Sequence, residues 1–169
     1  MVMSTIREVT KLADKIESIA ALLVNDETIT KLLFYNDADP INKPVLTVAQ
    51  KMGLMDSKLI KRNNMKILDS LAGSFITIRL NESLPSQNNP NVLEHKIAIN
   101  VVCHQGTIET NYGERDLLLV QSIINIFNLQ NTVGQGKTYI RMIRDLVFDS
   151  NDFNGYVILL GVTEEAERG

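Results

Sequence analysis

Three groups of residues in the 169-residue chain could do chemistry by their types and spacing. Gly134-Gln135-Gly136-Lys137-Thr138 imitates the end of a nucleotide-binding P-loop, in which glycine-rich backbone N–H groups cradle phosphates, Lys neutralises them and Ser/Thr binds magnesium. The complete pattern needs a further glycine where Asn131 stands, and it should follow a strand, whereas the segment before it reads as a helix. Leu146-Val147-Phe148-Asp149 resembles a magnesium-binding strand end but comes too soon for a crossover and a return strand. An ordinary glycine turn is the expectation. Cys103-His104, with His95, would suit a metal site or a Cys/His nucleophile pair. Adjacent strand residues point to opposite faces, however, and no second cysteine exists to complete a zinc site, so a buried Cys103 and a surface His104 are expected. Lys58, Lys61, Arg62 and Lys66 form a basic run that could meet nucleic acid or an acidic partner, but no aromatic residue interleaves with it, and a solvated face is expected. No Ser/His/Asp set or carboxylate pair stands at a diagnostic spacing.

The background composition leans the same way. Apolar residues make up 44% and charged residues 22% of the chain, which excludes intrinsic disorder and collagen-like structure. A domain of this size buries roughly 70% of its unfolded surface and needs neither disulfide nor metal to stay folded. The one cysteine fits a reducing compartment. A net charge of −3 gives no bulk electrostatic case for nucleic acid, although residues 1–80 carry eleven basic and nine acidic groups against six and eleven in 81–169. Arg7, Glu8, Lys11 and Asp14 stand where a signal peptide would be apolar, and no apolar run approaches the ~20 residues of a membrane span. A soluble, intracellular chain of one domain (1–169) is expected. Sixteen asparagines suggest many turns between short elements, and only two histidines are present, so composition favours a structural or binding role over catalysis.

The elements that position these residues read as an α+β domain. Ile6, Val9, Leu12, Ala13, Ile16, Ile19, Ala20 and Leu23 recur at helical spacing, with Ser4 or Thr5 as a cap. Asp26 caps a second helix from Glu27 to about Tyr35, which makes 1–35 a helical hairpin. Asn36 to Pro44 is an ordered loop, and Thr47 caps a short helix through Met52 that Gly53 ends. Met65–Leu68 is a possible short strand, and Phe75–Leu80 and Lys96–Cys103 are strands. Between them Asn81–Glu94, with Pro85, Pro90 and four asparagines, reads as a long, mobile hairpin arm between two strands, an extended loop or arm over 81–95. Gly106 marks a turn and Thr107–Thr110 a short extension. Arg115–Asn128 is a helix apolar almost all round, to be buried on several sides. Tyr139–Phe148 leans to strand, Asp149–Gly155 is a turn cluster, Tyr156–Val162 is a closing central strand, and Glu164–Gly169 is a charged tail. A largely antiparallel sheet with one long buried helix packed on it follows.

Lys31-Leu32-Leu33-Phe34-Tyr35-Asn36-Asp37-Ala38-Asp39-Pro40, continuing to Lys43-Pro44, resembles a family of tailed-bacteriophage virion proteins of the neck and tail-completion type, tail terminators and head–tail connectors. Phe34 departs from the tyrosine usual in that phrase. The resemblance continues through a strand like Ile97–His104, the helix at Leu117–Phe127 and the phrase Asp152-Phe153-Asn154-Gly155-Tyr156.

The resemblance implies a structural role without catalytic residues, cofactor or metal. Such proteins assemble as rings, commonly hexamers, between head and tail, with genomic DNA passing through the channel without sequence-specific binding. It implies that the partners are further copies of the chain, as a hexamer or dodecamer, and neighbouring neck, tail-tube or head proteins, with no membrane. The site is then the virion, assembled in the host bacterial cytoplasm. Subunit or partner contacts are expected at Asn81, Glu82, Leu84, Pro85, Asn88, Asn89, Pro90 and Val92 of the arm, and at Phe34 and Tyr35 of the helical hairpin. Two other readings stand beside this one: a cytoplasmic adaptor that binds a protein partner without forming a ring, and a small phosphate-binding enzyme using Gly134–Thr138.

Overall fold

The computed structural model describes residues 2–60, 73–85, 92–128 and 138–165. Three helices come first: α1 (Val2–Asn25), α2 (Glu27–Phe34) and α3 (Val48–Ser57). They are followed by β1 (Leu59–Ile60), β2 (Ser74–Pro85) and β3 (Val92–His104), a 3-10 turn at Gln105–Thr107, and the small hairpin β4 (Glu109–Thr110) and β5 (Gly113–Glu114). Helix α4 (Arg115–Phe127) and strands β6 (Thr138–Asp145) and β7 (Phe153–Glu165) complete the fold. The main sheet has the order β1-β2-β3-β7-β6 and is antiparallel throughout except for the two-residue β1 beside β2. This is the α+β architecture the sequence pattern implies.

The helices begin where the sequence places them, with two corrections. Asp26 caps α2 by accepting a hydrogen bond from the Ile29 amide at 2.8 Å. Thr47 caps α3 in a reciprocal capping box with Gln50. Helix α1 starts at Val2, so neither Ser4 nor Thr5 is its cap; nothing in Met1-Val2-Met3 breaks a helix. Helix α3 passes through Gly53 to Ser57, because burying Leu54 and part of Met55 in the turn that follows outweighs the roughly 1 kcal/mol that glycine costs a helix interior.

The core lies between one face of the sheet and the helices. Ile76 and Ile78 of β2, Ile97, Ile99, Val101 and Cys103 of β3, and Ile158, Leu160 and Val162 of β7 meet Ile19 and Leu23 of α1, Leu32 and Leu33 of α2, and Leu119, Ile123 and Phe127 of α4. A smaller cluster on the opposite face joins Phe75 and Val102 to Leu146, Phe148 and Phe153. Gly161 permits one close approach there: a Cβ on it would sit 2.6 Å from Cζ of Tyr139, whose ring lies across that strand.

Several boundaries differ from expectation. The arm at Asn81–Glu94 is largely paired strand over its described residues. β2 runs on to Pro85 and β3 starts at Val92, with Glu82 opposite Lys96, Ser83 opposite His95, Leu84 opposite Glu94 and Pro85 opposite Leu93. A bulge absorbs Asn81, and the cross-strand pairs Lys96–Glu82 (2.5 Å) and Ser83–His95 (2.8 Å) carry the ladder past it. Helix α4 is not apolar all round: Leu117 is 45% exposed, and Gln121 and Asn125 bond to each other on the same outward stripe. β7 begins at Phe153, inside the expected turn cluster, because Gly155 fits against the backbone of Val101 and Val102. The possible strand at Met65–Leu68 lies outside the described residues.

Candidate functional site

The residues singled out for chemistry are held in structural roles wherever they are described. Gly134–Lys137 lie outside the described residues. Thr138 is buried at the start of β6 and donates its hydroxyl to the Phe127 carbonyl at 2.8 Å. The segment joins the end of α4 to the start of β6, the reverse of the strand-to-helix order that a phosphate-cradling loop uses. Cys103 is fully buried, and burial pushes its thiol up to about 12, far from a reactive thiolate. His104 is half-buried: its Nδ1 accepts the Gly106 amide at 3.0 Å and its ring stands edge-on to Phe153 at 5.4 Å. His95 is buried next to Ser83, near the other end of the same strand. Among the described residues no cluster of His, Cys, Asp and Glu could hold a metal ion. Of the basic run only Lys58 is described; it closes α3, and burial lowers its pKa from the ordinary value.

The expected contact residues fall into two groups. Asn81, Glu82, Leu84, Pro85 and Val92 share the far end of the β2–β3 hairpin, whereas Asn88, Asn89 and Pro90 lie outside the described residues. Leu84 is 45% exposed, and Val92, half-buried, begins β3 opposite Glu165. Phe34 and Tyr35 belong to a different place. Their rings meet edge-on at 5.0 Å, Tyr35 donates its hydroxyl to the Pro44 carbonyl at 3.1 Å, and both lie at the end of α2. That end is tied to the start of α4, beyond the last residue of β3. β3 is long enough (thirteen residues, roughly 40 Å) to hold the two groups at opposite ends of the domain.

What ties the α2 end down is a residue whose role the sequence reading misses. Arg115 is fully buried at the first position of α4. Its NH1 donates to the carbonyls of Leu32 and Tyr35, its NH2 to Asp37, all at 2.7 Å, and its Nε to Thr107 at 2.6 Å. Burial pulls its pKa below the ordinary value, with Cys103 and Asp37 opposing that shift. A cation at a helix N-terminus faces the positive end of the helix dipole. The one legible signal was an arginine where the dipole disfavours it. The β4–β5 hairpin closes over the same loop: Tyr112 donates its hydroxyl to Asp39 at 2.8 Å and accepts from Asn42 at 2.7 Å, and the Asn111 amide donates to the Ala38 carbonyl. Asn36–Pro44 is thus an ordered loop, as expected. Val45, Val48 and Met52 stand exposed just after it, Val48 and Met52 one helical turn apart.

On the sheet face away from the helices, Glu94 accepts hydrogen bonds from Tyr139 and from Arg141, and Arg141 also stacks on the Tyr139 ring at 5.6 Å from its centroid. Burial pushes the Glu94 pKa up, but these two donors outweigh it and hold the carboxyl below its ordinary value. The cluster clasps β6 to β3 across β7.

The geometry defines a class: an α+β domain with helices packed on one face of an open antiparallel sheet, and side chains arranged to lock segments together. Within that class, the YomW family model matches residues 26–162, and the chain belongs to this phage-associated family. No curated protein matches in sequence. Among solved structures, a chain from the virion of a native gene transfer agent particle is similar over 67% of this chain and 82% of that one, at 8% identity and a TM-score of 0.45. At that overlap the likeness carries no argument about function.

Proposed function

We propose that the chain is a structural protein of a tailed-phage virion: a ring-forming subunit of the neck, in the position of a tail terminator or head–tail connector, that acts by assembly and lets DNA pass through its channel. The observation that carries this reading is membership in a phage-associated family over residues 26–162. That span contains both phrases that resemble neck proteins, Lys31–Pro40 and Asp152–Tyr156. Membership alone supports the coarser statement, a phage virion structural protein. The ring and the neck position rest on the resemblance.

Three features of the chain suit the role. Arg115 and the β4–β5 hairpin turn the Leu32–Pro44 segment into a rigid surface. Exposed apolar side chains stand at both ends of the domain, Val48 and Met52 at one and Leu84 at the other. A net charge of −3 suits a conduit that does not grip DNA.

The test is mass in solution by light scattering, with negative-stain images of the same sample and of the sample mixed with tail tubes. Closed rings of about six or about twelve subunits, alone or on tube ends, support the reading. A chain that stays monomeric in both settings and captures a single soluble protein would favour the adaptor.

A further inference from the structure

We infer that neighbouring subunits of the ring join head to tail, the Val147 tip of the β6–β7 loop in one copy seating on the exposed apolar face that Val45, Val48 and Met52 form at α3 of the next. The inference rests on the ring reading above and supplies its interface. Residues 146–152 link β6 to β7, and Val147 among them is 95% exposed. Its neighbours Leu146 and Phe148 are half-buried and pack with Phe153 against Phe75 and Val102. The Leu146 amide donates to the Gly155 carbonyl at 2.9 Å, and the Gln105 amide donates to the Asp152 carbonyl at 2.8 Å. Within the loop, the Asp152 amide donates to the Ser150 hydroxyl at 3.1 Å. The loop is thus anchored on both sides of a valine that touches little of its own chain, and seating that valine on a partner costs little ordering. The receiving face is also open. Val48 and Met52, one turn apart, are 76% and 63% exposed, whereas Leu54 of the same helix is buried in the core.

Charge selects this pairing over a contact between like surfaces. Residues 145–152 hold three aspartates and no basic residue, whereas residues 43–58 hold three lysines against one aspartate. Asp145 and Asp149 are exposed and have no ion pair among the described residues. Burial raises the Tyr156 pKa, and the carboxylates of Asp116, Asp145 and Glu114 raise it further, so the end of β6 stands in negative surroundings. On the receiving side Lys43 is paired with Asp37, but Lys51, between Val48 and Met52 in α3, has no ion pair among the described residues. Loop against loop would set aspartate against aspartate, and α3 against α3 would set lysine against lysine. Loop against α3 surrounds an apolar centre with opposite charges. The placement of the two surfaces suits a ring. The loop lies on the sheet face away from the helices, and α3 belongs to the helical layer, so their contact is head to tail. Both also lie at one end of the strands. The Lys58 carbonyl at the close of α3 accepts the Ile76 amide, Ser74 at the start of β2 pairs with Cys103, and Gln105, two residues on, bonds to the loop. Successive copies are then related with little rise, as a closed ring requires.

The test is a mixing experiment with two full-length variants altered only at exposed positions: Val147→Lys blocks the loop, and Val48→Lys with Met52→Lys blocks the α3 face. Circular dichroism and melting check that both fold. If a lysine variant does not, Val147→Ala and Val48→Ala take their place and should raise the concentration at which rings form about tenfold or more; an unchanged concentration would overturn the contact. Each folded lysine variant alone is expected to be monomeric where the parent forms rings. Their equimolar mixture, sedimented well above that concentration, should give heterodimers and nothing larger, because one intact loop and one intact α3 face remain. Rings that persist in either variant would leave these surfaces to another virion protein and overturn the self-contact. A mixture of folded variants that stays monomeric would overturn it too, and both results leave the ring standing. A parent that is a monomer or a two-fold dimer under all conditions would overturn the ring reading and this interface with it.

Discussion

Replacing Arg115 tests whether the buried guanidinium locks the Leu32–Asp37 segment to α4. Four carbonyls, of Leu32, Tyr35, Asp37 and Thr107, receive its hydrogen bonds at 2.6–2.7 Å, and the side chain is fully buried. A hydrogen bond to a charged donor contributes roughly 1.5–3 kcal/mol. Four such bonds would total well above the observed cost of any single substitution, but removing the cation also removes its desolvation penalty of several kcal/mol. The net loss for Arg115→Ala is about 3–5 kcal/mol. Arg115→Lys keeps the charge but replaces a planar fork with one ammonium that can serve two or three of the carbonyls, so it should lose about 2–3 kcal/mol. For a domain of this size about 3 kcal/mol lowers the melting temperature by roughly 6–12 °C. Urea unfolding followed by circular dichroism gives the free energies. Amide exchange should show opening of residues 36–44 in Arg115→Lys before global unfolding. A loss below about 1 kcal/mol for Arg115→Ala, or unchanged exchange in the loop, would refute the clamp.

Other outcomes follow from the same contacts. Gly161→Ala should cost about 1–3 kcal/mol by pushing the Tyr139 ring off the strand; measured again in a Tyr139→Ala background, most of that cost should vanish, and equal costs in both backgrounds would refute the contact. The Glu94 carboxyl is held below its ordinary value of 4.5 in the folded chain, so between the two values the unfolded chain binds more protons and stability rises with pH. Its stabilisation is present above about pH 4.5 and lost as pH falls through the depressed folded value, so unfolding titrations should show Glu94→Gln losing less stability than the parent across that acid window. Cys103, buried with a thiol near 12, should resist iodoacetamide at pH 8 in the folded chain and react at the rate of unfolding; rapid labelling under native conditions would contradict its burial.

The fold was legible wherever a periodic pattern and its punctuation agreed. Asp26 and Thr47 are caps because a side-chain oxygen there meets orphan amides, and both read correctly. Ile97, Ile99, Val101 and Cys103 alternate as a core face should, and all four are buried. Errors arose where a local signal met a tertiary one. Asparagine and proline made Asn81–Glu94 read as a mobile hairpin arm outside the strands, but its described residues continue β2 and β3, held by cross-strand pairs at Glu82–Lys96 and Ser83–His95, twelve to fourteen residues apart in sequence. Pro85 is tolerated there because it ends a strand whose outer side has no described neighbour. Gly53 looked like a helix stop until burial of Leu54 outweighed it.

The candidate site was less legible than the fold. Nothing in the spacing of Leu32, Tyr35, Asp37 and Thr107 announces that one arginine gathers their carbonyls, because backbone acceptors leave no mark on residue type. The Glu94–Tyr139–Arg141 clasp is equally silent, since it depends on a glycine in a third strand. The contact residues of the arm were readable as exposed surface, but not as a strand edge. That distinction needs the strand order, which no local pattern encodes.

The measurement that tests the central claim most directly is the number of copies of this chain in purified phage particles, by quantitative mass spectrometry, with gold-labelled antibody to locate them. The account predicts a fixed number, about six or about twelve per particle as closed symmetry requires, at the junction of head and tail. Particles that infect normally and contain none of the chain would contradict it.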